Sequence, residues 1–153
     1  MTVEQVRQLR GIEGVMSALV AELEPRVITP DAEKQQQLGI AEETMLIPVG
    51  VGRALTVSPT LEGGWSIKEF DTSQGTLNSV WDETGALTDE LAIEVVLSRS
   101  IRTLQSQIES GAAPQFAETL ALLEARRKQL IDFGLGSFEF EAVEPEVAKK
   151  RRR

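Results

Sequence analysis

Two carboxylate pairs are the first residues in this sequence that could do chemistry. Glu69 and Asp71 flank Phe70, and Asp82-Glu83 follows Trp81. Paired carboxylates can hold a hard cation such as magnesium, or serve as acid and base in glycoside hydrolysis. No spacing locks either pair into one site, and in an acidic chain solvated carboxylates are the ordinary reading. Gly50-Val51-Gly52 is the first half of a dinucleotide-binding fingerprint. Leu55 stands where the third glycine belongs, and no helix pattern follows. A bend in a strand is the better reading. Trp65 and Trp81 read as core anchors rather than ligand platforms.

The residues that are missing weigh more. The 153 residues include no cysteine, no histidine and no tyrosine. There is thus no disulfide, no thiolate nucleophile, no imidazole base and no thiolate or two-histidine metal motif. Carboxylates, hydroxyls, Lys and Arg remain. The expectation is a non-enzymatic protein without cofactor or metal, with a carboxylate- or metal-dependent enzyme as the remote alternative.

Charge is unevenly placed. The formal net charge is −8, yet the last five residues, Lys149, Lys150, Arg151, Arg152 and Arg153, are all basic. Removing these five from 16 Lys and Arg leaves 11 against 24 Asp and Glu, a net of −13 on the body. An acidic body with a basic tip suggests an anionic partner: nucleic-acid phosphates, a charged surface, or the body of a neighbouring subunit. A conventional nucleic-acid module needs cations arrayed over a folded face with aromatic residues between them. The richest basic run in the body, Arg126-Arg127-Lys128, with Arg99 and Arg102 on a neighbouring helix, has no such aromatics. A tail of five charges would tether without specifying sequence.

These residues need elements to position them. Residues 3–24 predict a helix, opened by Thr2 and Gln5 at capping-box spacing. Leu9, Ile12, Met16, Leu19 and Leu23 recur at steps of three and four, the rhythm of a packing seam. Gly11 and Gly14 weaken that helix by up to about 1 kcal/mol each. Thr29-Pro30 opens a short helix to about Leu38. Residues 45–49 and 53–58 are β-like, with a bulge or bend at Gly50 and Gly52, and residues 65–70 supply a second strand of an antiparallel hairpin. Residues 71–85 read as a loop, or as one short helix around 76–82.

Thr88 caps a helix over Asp89–Glu109, with Leu97, Ile101, Leu104 and Ile108 along one stripe. After a five-residue link, residues 114–133 form a second helix carrying Phe116, Leu120, Leu123 and Leu130, with Arg127 on the same seam. So short a link forces an antiparallel αα-hairpin with arms of about 30 Å. Residues 137–143 alternate, with Phe138 and Phe140 on one side, and predict a third strand joining the sheet.

The fold class that follows is α+β: about three antiparallel strands, a long αα-hairpin and an N-terminal helix. Residues 1–144 make one domain and residues 145–153 an exposed basic tail. Seams on three helices exceed what one small core is expected to need. The leading reading is therefore a structural or assembly subunit, homo-oligomeric through Leu9, Ile12, Met16, Leu97, Ile101, Leu104, Leu120, Leu123 and Arg127. A component of a virion or phage particle is one home for such a chain. An accessory nucleic-acid binder acting through residues 149–153 is the second reading. With no secretory signal and no apolar run of about 20 residues, a cytoplasmic protein without membrane contact is expected.

Overall fold

The computed structural model describes residues 2–23, 44–75, 77–112 and 114–140. The predicted short helix after Thr29 and every residue beyond Phe140, the basic tip included, lie outside these residues. Helix α1 spans Val3–Leu23, and strands β1 (Met45–Val49), β2 (Arg53–Pro59), β3 (Trp65–Asp71) and β4 (Asn78–Leu87) follow. Two further helices, α2 (Asp89–Glu109) and α3 (Ala117–Phe133), complete the order, with single 3-10 turns at Pro114–Phe116 and Leu135–Ser137. The class is α+β: an antiparallel four-stranded meander, β1-β2-β3-β4, carries α2 on one face, and α3 folds back along α2.

The bend at Gly50-Val51-Gly52 is a full reversal, so residues 45–58 form two paired strands where the sequence suggests one bent strand. Val49 pairs with Arg53 across the reversal, and Gly50 and Gly52 hold φ of 60° and 71°, a region glycine enters at no steric cost. The next reversal is closed by Thr60, whose hydroxyl donates to the carbonyl of Gly63 at 2.6 Å. Residues 78–87 are a strand, neither loop nor short helix, and they pair with β3 from Asp71↔Asn78 to Trp65↔Leu87. Two register shifts interrupt that pairing, and the bulges break the alternation by which a strand is recognised.

The predicted strand at 137–143 is not a sheet member over its described part. Leu135–Ser137 is a 3-10 turn, and Glu139 forms a single antiparallel bridge with Thr2. The alternation there has another cause. Phe138 and Phe140 are both buried, edge to face at 6.3 Å, in the single hydrophobic cluster that also takes Val3 and Val6 of α1.

Helix starts follow the sequence closely. Thr2 N–H donates to Gln5 Oε1 at 2.9 Å, and Gln5 N–H donates to Thr2 Oγ1 at 3.4 Å, the reciprocal capping box. Thr88 Oγ1 accepts from Leu91 N–H at 3.3 Å at the head of α2. Helix α1 is kinked at Gly11, where φ is 68°. Nothing lies within 4 Å of the place a Cβ would take there, so this glycine serves the kink and not a close backbone contact.

Helix α2 lies across the sheet face made by Leu55, Val57 and Ile67, with Ile93, Val96, Leu97 and Leu104 among the buried residues facing that layer. Each such side chain contributes about 1.5–3 kcal/mol by leaving water. Polar bonds hold the helix at both ends. Trp65 Nε1 donates to Asp89 Oδ1 at 2.8 Å at the N-terminal end, and Gln107 reaches Val51 at the other. Among the described residues, no helix is long and apolar enough to cross a membrane.

Candidate functional site

Charged and polar residues enter the layer between α2 and the sheet on one row of the helix. Arg99, Thr103 and Gln107 are four residues apart, so they project from one side of α2 on successive turns. Beneath them stands Glu69 of β3, on the face shared with Ile67, and only 2 % exposed. A carboxylate so buried is tolerated only when its oxygens are fully engaged. Arg99 Nε donates to Glu69 Oε1 at 3.1 Å, and Arg53 Nη1 and Thr103 Oγ1 each donate to Oε2 at 3.1 Å. The Arg99 guanidinium also lies over the Trp81 ring, 4.5 Å from its centroid. Trp81 comes from β4, which pairs Trp81 with Glu69.

A hollow of about 150 Å³ opens beside this network. Arg53, Arg99 and Arg102 line it, with the Thr103 and Ser106 hydroxyls and Gln107. Glu69 is the one carboxylate in its wall, so the lining carries a surplus of two positive charges. Among the described residues Arg102 has neither an ion-pair partner nor a hydrogen-bonding one.

The other side of α2 meets α3 and leaves an open groove of about 640 Å³. Ile101 and Ile131 supply its apolar part, and Arg102 reaches its wall as well. Arg127 crosses between the helices, with Nε 2.8 Å from Ser98 Oγ, to which it donates, and 3.3 Å from Glu94 Oε1. Lys128 pairs with Asp132 at 2.7 Å, one turn apart, and that carboxylate raises the Lys128 pKa above the ordinary lysine range. Leu91 is 51 % exposed and Ile131 58 %. Leu91 lies seven residues before Ser98, two turns away on the same side of α2.

The carboxylates singled out from sequence do not converge. Glu69 is committed to Arg53, Arg99 and Thr103. Asp71 accepts from the Ser73 hydroxyl at 2.6 Å and from its backbone N–H at 2.8 Å. Those two bonds, hydroxyl first, and then the charge of Arg53, hold the Asp71 carboxyl below the ordinary aspartate range. Asp82 pairs in register with Lys68, on the sheet face opposite Glu69, and Glu83 accepts from Gly85 N–H at 3.3 Å. Among the described residues, no group of three or more side chains is placed to hold a metal ion.

The helical seam residues have varied fates. Ile12, Met16, Leu97, Leu104 and Leu123 are buried within the single chain, and Ile101 and Leu120 pack partly against the same core. Arg127 is half-exposed at the groove. The side chain of Leu9 and the tip residues Lys149, Lys150, Arg151, Arg152 and Arg153 lie outside the described set. Sequence reasoning passed over Arg53 and Thr103 as site residues, and weighed Arg99 and Arg102 only as neighbours of the Arg126-Arg127-Lys128 run. The available signal was the polar row Arg99, Thr103 and Gln107 at helical spacing beside the apolar stripe of α2.

Compared with protein-family models, with curated proteins and with solved structures, the chain matches none of them.

Proposed function

We propose that the chain is a non-catalytic assembly subunit that docks onto a second copy of itself through the open α2–α3 face. The observation that carries this reading is the exposure of Ile131 in the wall of the 640 Å³ groove, with Leu91 exposed on the Ser98 side of α2. Around them stand three cations, Arg102, Arg127 and Lys128, and three acids, Glu94, Glu124 and Asp132. Charges of both signs around an apolar centre suit a two-fold axis, which would set Arg102 of one copy against Glu124 of the other. The seam residues that are buried in the chain give this surface its rigid backing. The basic tip, residues 149–153, enters the proposal as a tether to an acidic neighbour or to nucleic acid.

Light scattering across a concentration series tests the docking. Self-association that rises with concentration, and that Ile131→Glu abolishes while the circular dichroism spectrum is kept, supports it. A strict monomer at every concentration, or an oligomer indifferent to Ile131→Glu, removes it. Deleting residues 149–153 tests the tether separately: salt-dependent retention on nucleic acid or on the acidic body should disappear.

A further inference from the structure

We infer that the hollow between Arg53, Arg99 and Arg102 binds a phosphate group. The inference concerns the sheet side of α2 rather than the α3 side, and Arg102 is the one residue that lines both. It begins from charge. A chain with a formal charge of −8 gathers three guanidinium groups around one hollow of about 150 Å³ and supplies a single carboxylate there. Like charges held close repel, and repulsion rises where the surroundings exclude water. Glu69 neutralises one of the three. A dianion would neutralise the other two.

The donors suit an oxyanion. A guanidinium offers five N–H groups in a planar fork that matches carboxylate and phosphate oxygens. Arg53 and Arg99 each give one nitrogen to Glu69, through Nη1 and Nε respectively, so the rest of each fork is not spent on that carboxylate. Arg99 is also held in place by the Trp81 ring, which lowers the entropy lost on binding a ligand. Arg102 and the Ser106 hydroxyl complete the wall without a described partner of their own.

Size narrows the class. A hollow of about 150 Å³ has room for a small tetrahedral oxyanion. Nucleotide- or drug-sized ligands use sites of about 300 Å³ and above. The phosphate can be free, or the monoester end of a larger molecule that remains outside the hollow.

Trp81 provides a reporter, since a ligand on Arg99 alters the cation over its ring. The experiment titrates the full chain with inorganic phosphate, and in a second arm with phenyl phosphate, while following tryptophan fluorescence. Trp65→Phe removes the other indole, and sodium chloride at matched ionic strength is the control. Saturable binding in either arm, weakened about tenfold or more by Arg102→Ala and partly restored in Arg102→Lys, is expected. Binding of the monoester alone identifies the source as a phosphorylated molecule. A chloride response equal to that of phosphate, no saturation in either arm, or binding unchanged in Arg102→Ala would overturn the inference. Arg102 has no described partner, so its replacement leaves the Glu69 network intact, and a thermal melt verifies this.

Discussion

Gln107 faces the backbone of Val51 as a neighbouring strand would. Its Nε2 donates to the Val51 carbonyl at 2.8 Å, and its Oε1 accepts from the Val51 N–H at 2.9 Å. One side chain thus satisfies both polar groups of a turn residue and fastens the C-terminal end of α2 to the β1–β2 reversal. The fit excludes a side chain at Gly50. A Cβ there would overlap Gln107 Oε1 and stand 2.9 Å from its Cδ, and φ of 60° already disfavours one.

Gln107→Ala is expected to destabilise the chain by about 1 kcal/mol, since the exposed Val51 groups regain water. Gly50→Ala should cost more, about 1–3 kcal/mol, from backbone strain together with displacement of Gln107. The double variant should lose less than the sum, because the colliding group is gone. Urea denaturation of the four proteins measures the coupling, and strict additivity would show that the two sites do not meet.

Glu69→Gln removes the counter-ion of two guanidinium groups and leaves them adjacent. A loss of about 3–5 kcal/mol is expected, the range for breaking a buried ion pair by deleting one partner. Arg53→Ala should cost less, because Glu69 keeps Arg99 and Thr103. Chemical denaturation that ranked Arg53→Ala above Glu69→Gln would contradict the geometry described.

What was legible in the sequence was local. The capping box at Thr2 and Gln5, the Thr88 cap and the short link between α2 and α3 each depend on residues a few positions apart, and each is present. The fourth strand was not legible. Its bulges shift the register, and the side chain that matters most on it, Trp81, finds Arg99 only through the tertiary fold. Likewise Glu69 reads as a candidate acid until Arg53, 16 residues back, and Arg99, 30 residues on, arrive on either side. The alternation of Phe138 and Phe140 was real, but it reports burial in the core and not a ladder of hydrogen bonds.

Thr88→Ala removes the acceptor for Leu91 N–H at the positive end of α2. The expected cost is about 1 kcal/mol, with Thr88→Ser close to the parent. Thermal unfolding monitored by circular dichroism distinguishes the two.

Asp71 gives a pH signature. Its folded pKa lies below the unfolded one, so its contribution to stability is present above the unfolded value and fades as pH falls through the folded value. Ser73→Ala deletes the hydroxyl donor and keeps the backbone one. The Asp71 titration, followed by its carboxyl carbon shift, should move up toward the ordinary range without fully reaching it. An unmoved midpoint would assign the shift to the Ser73 backbone N–H and Arg53 instead.

The bridge between Thr2 and Glu139 sets the two ends of the described residues side by side across a short gap. A linker of a few residues from Phe140 to Thr2 would close it, and the chain could then be opened elsewhere, at the exposed Leu61-Glu62 tip for instance. In such a permutant β3 and β4 would precede α1, and β1 and β2 would follow it, with every contact around Glu69 retained. The order in which the elements are strung is thus separable from the arrangement they reach.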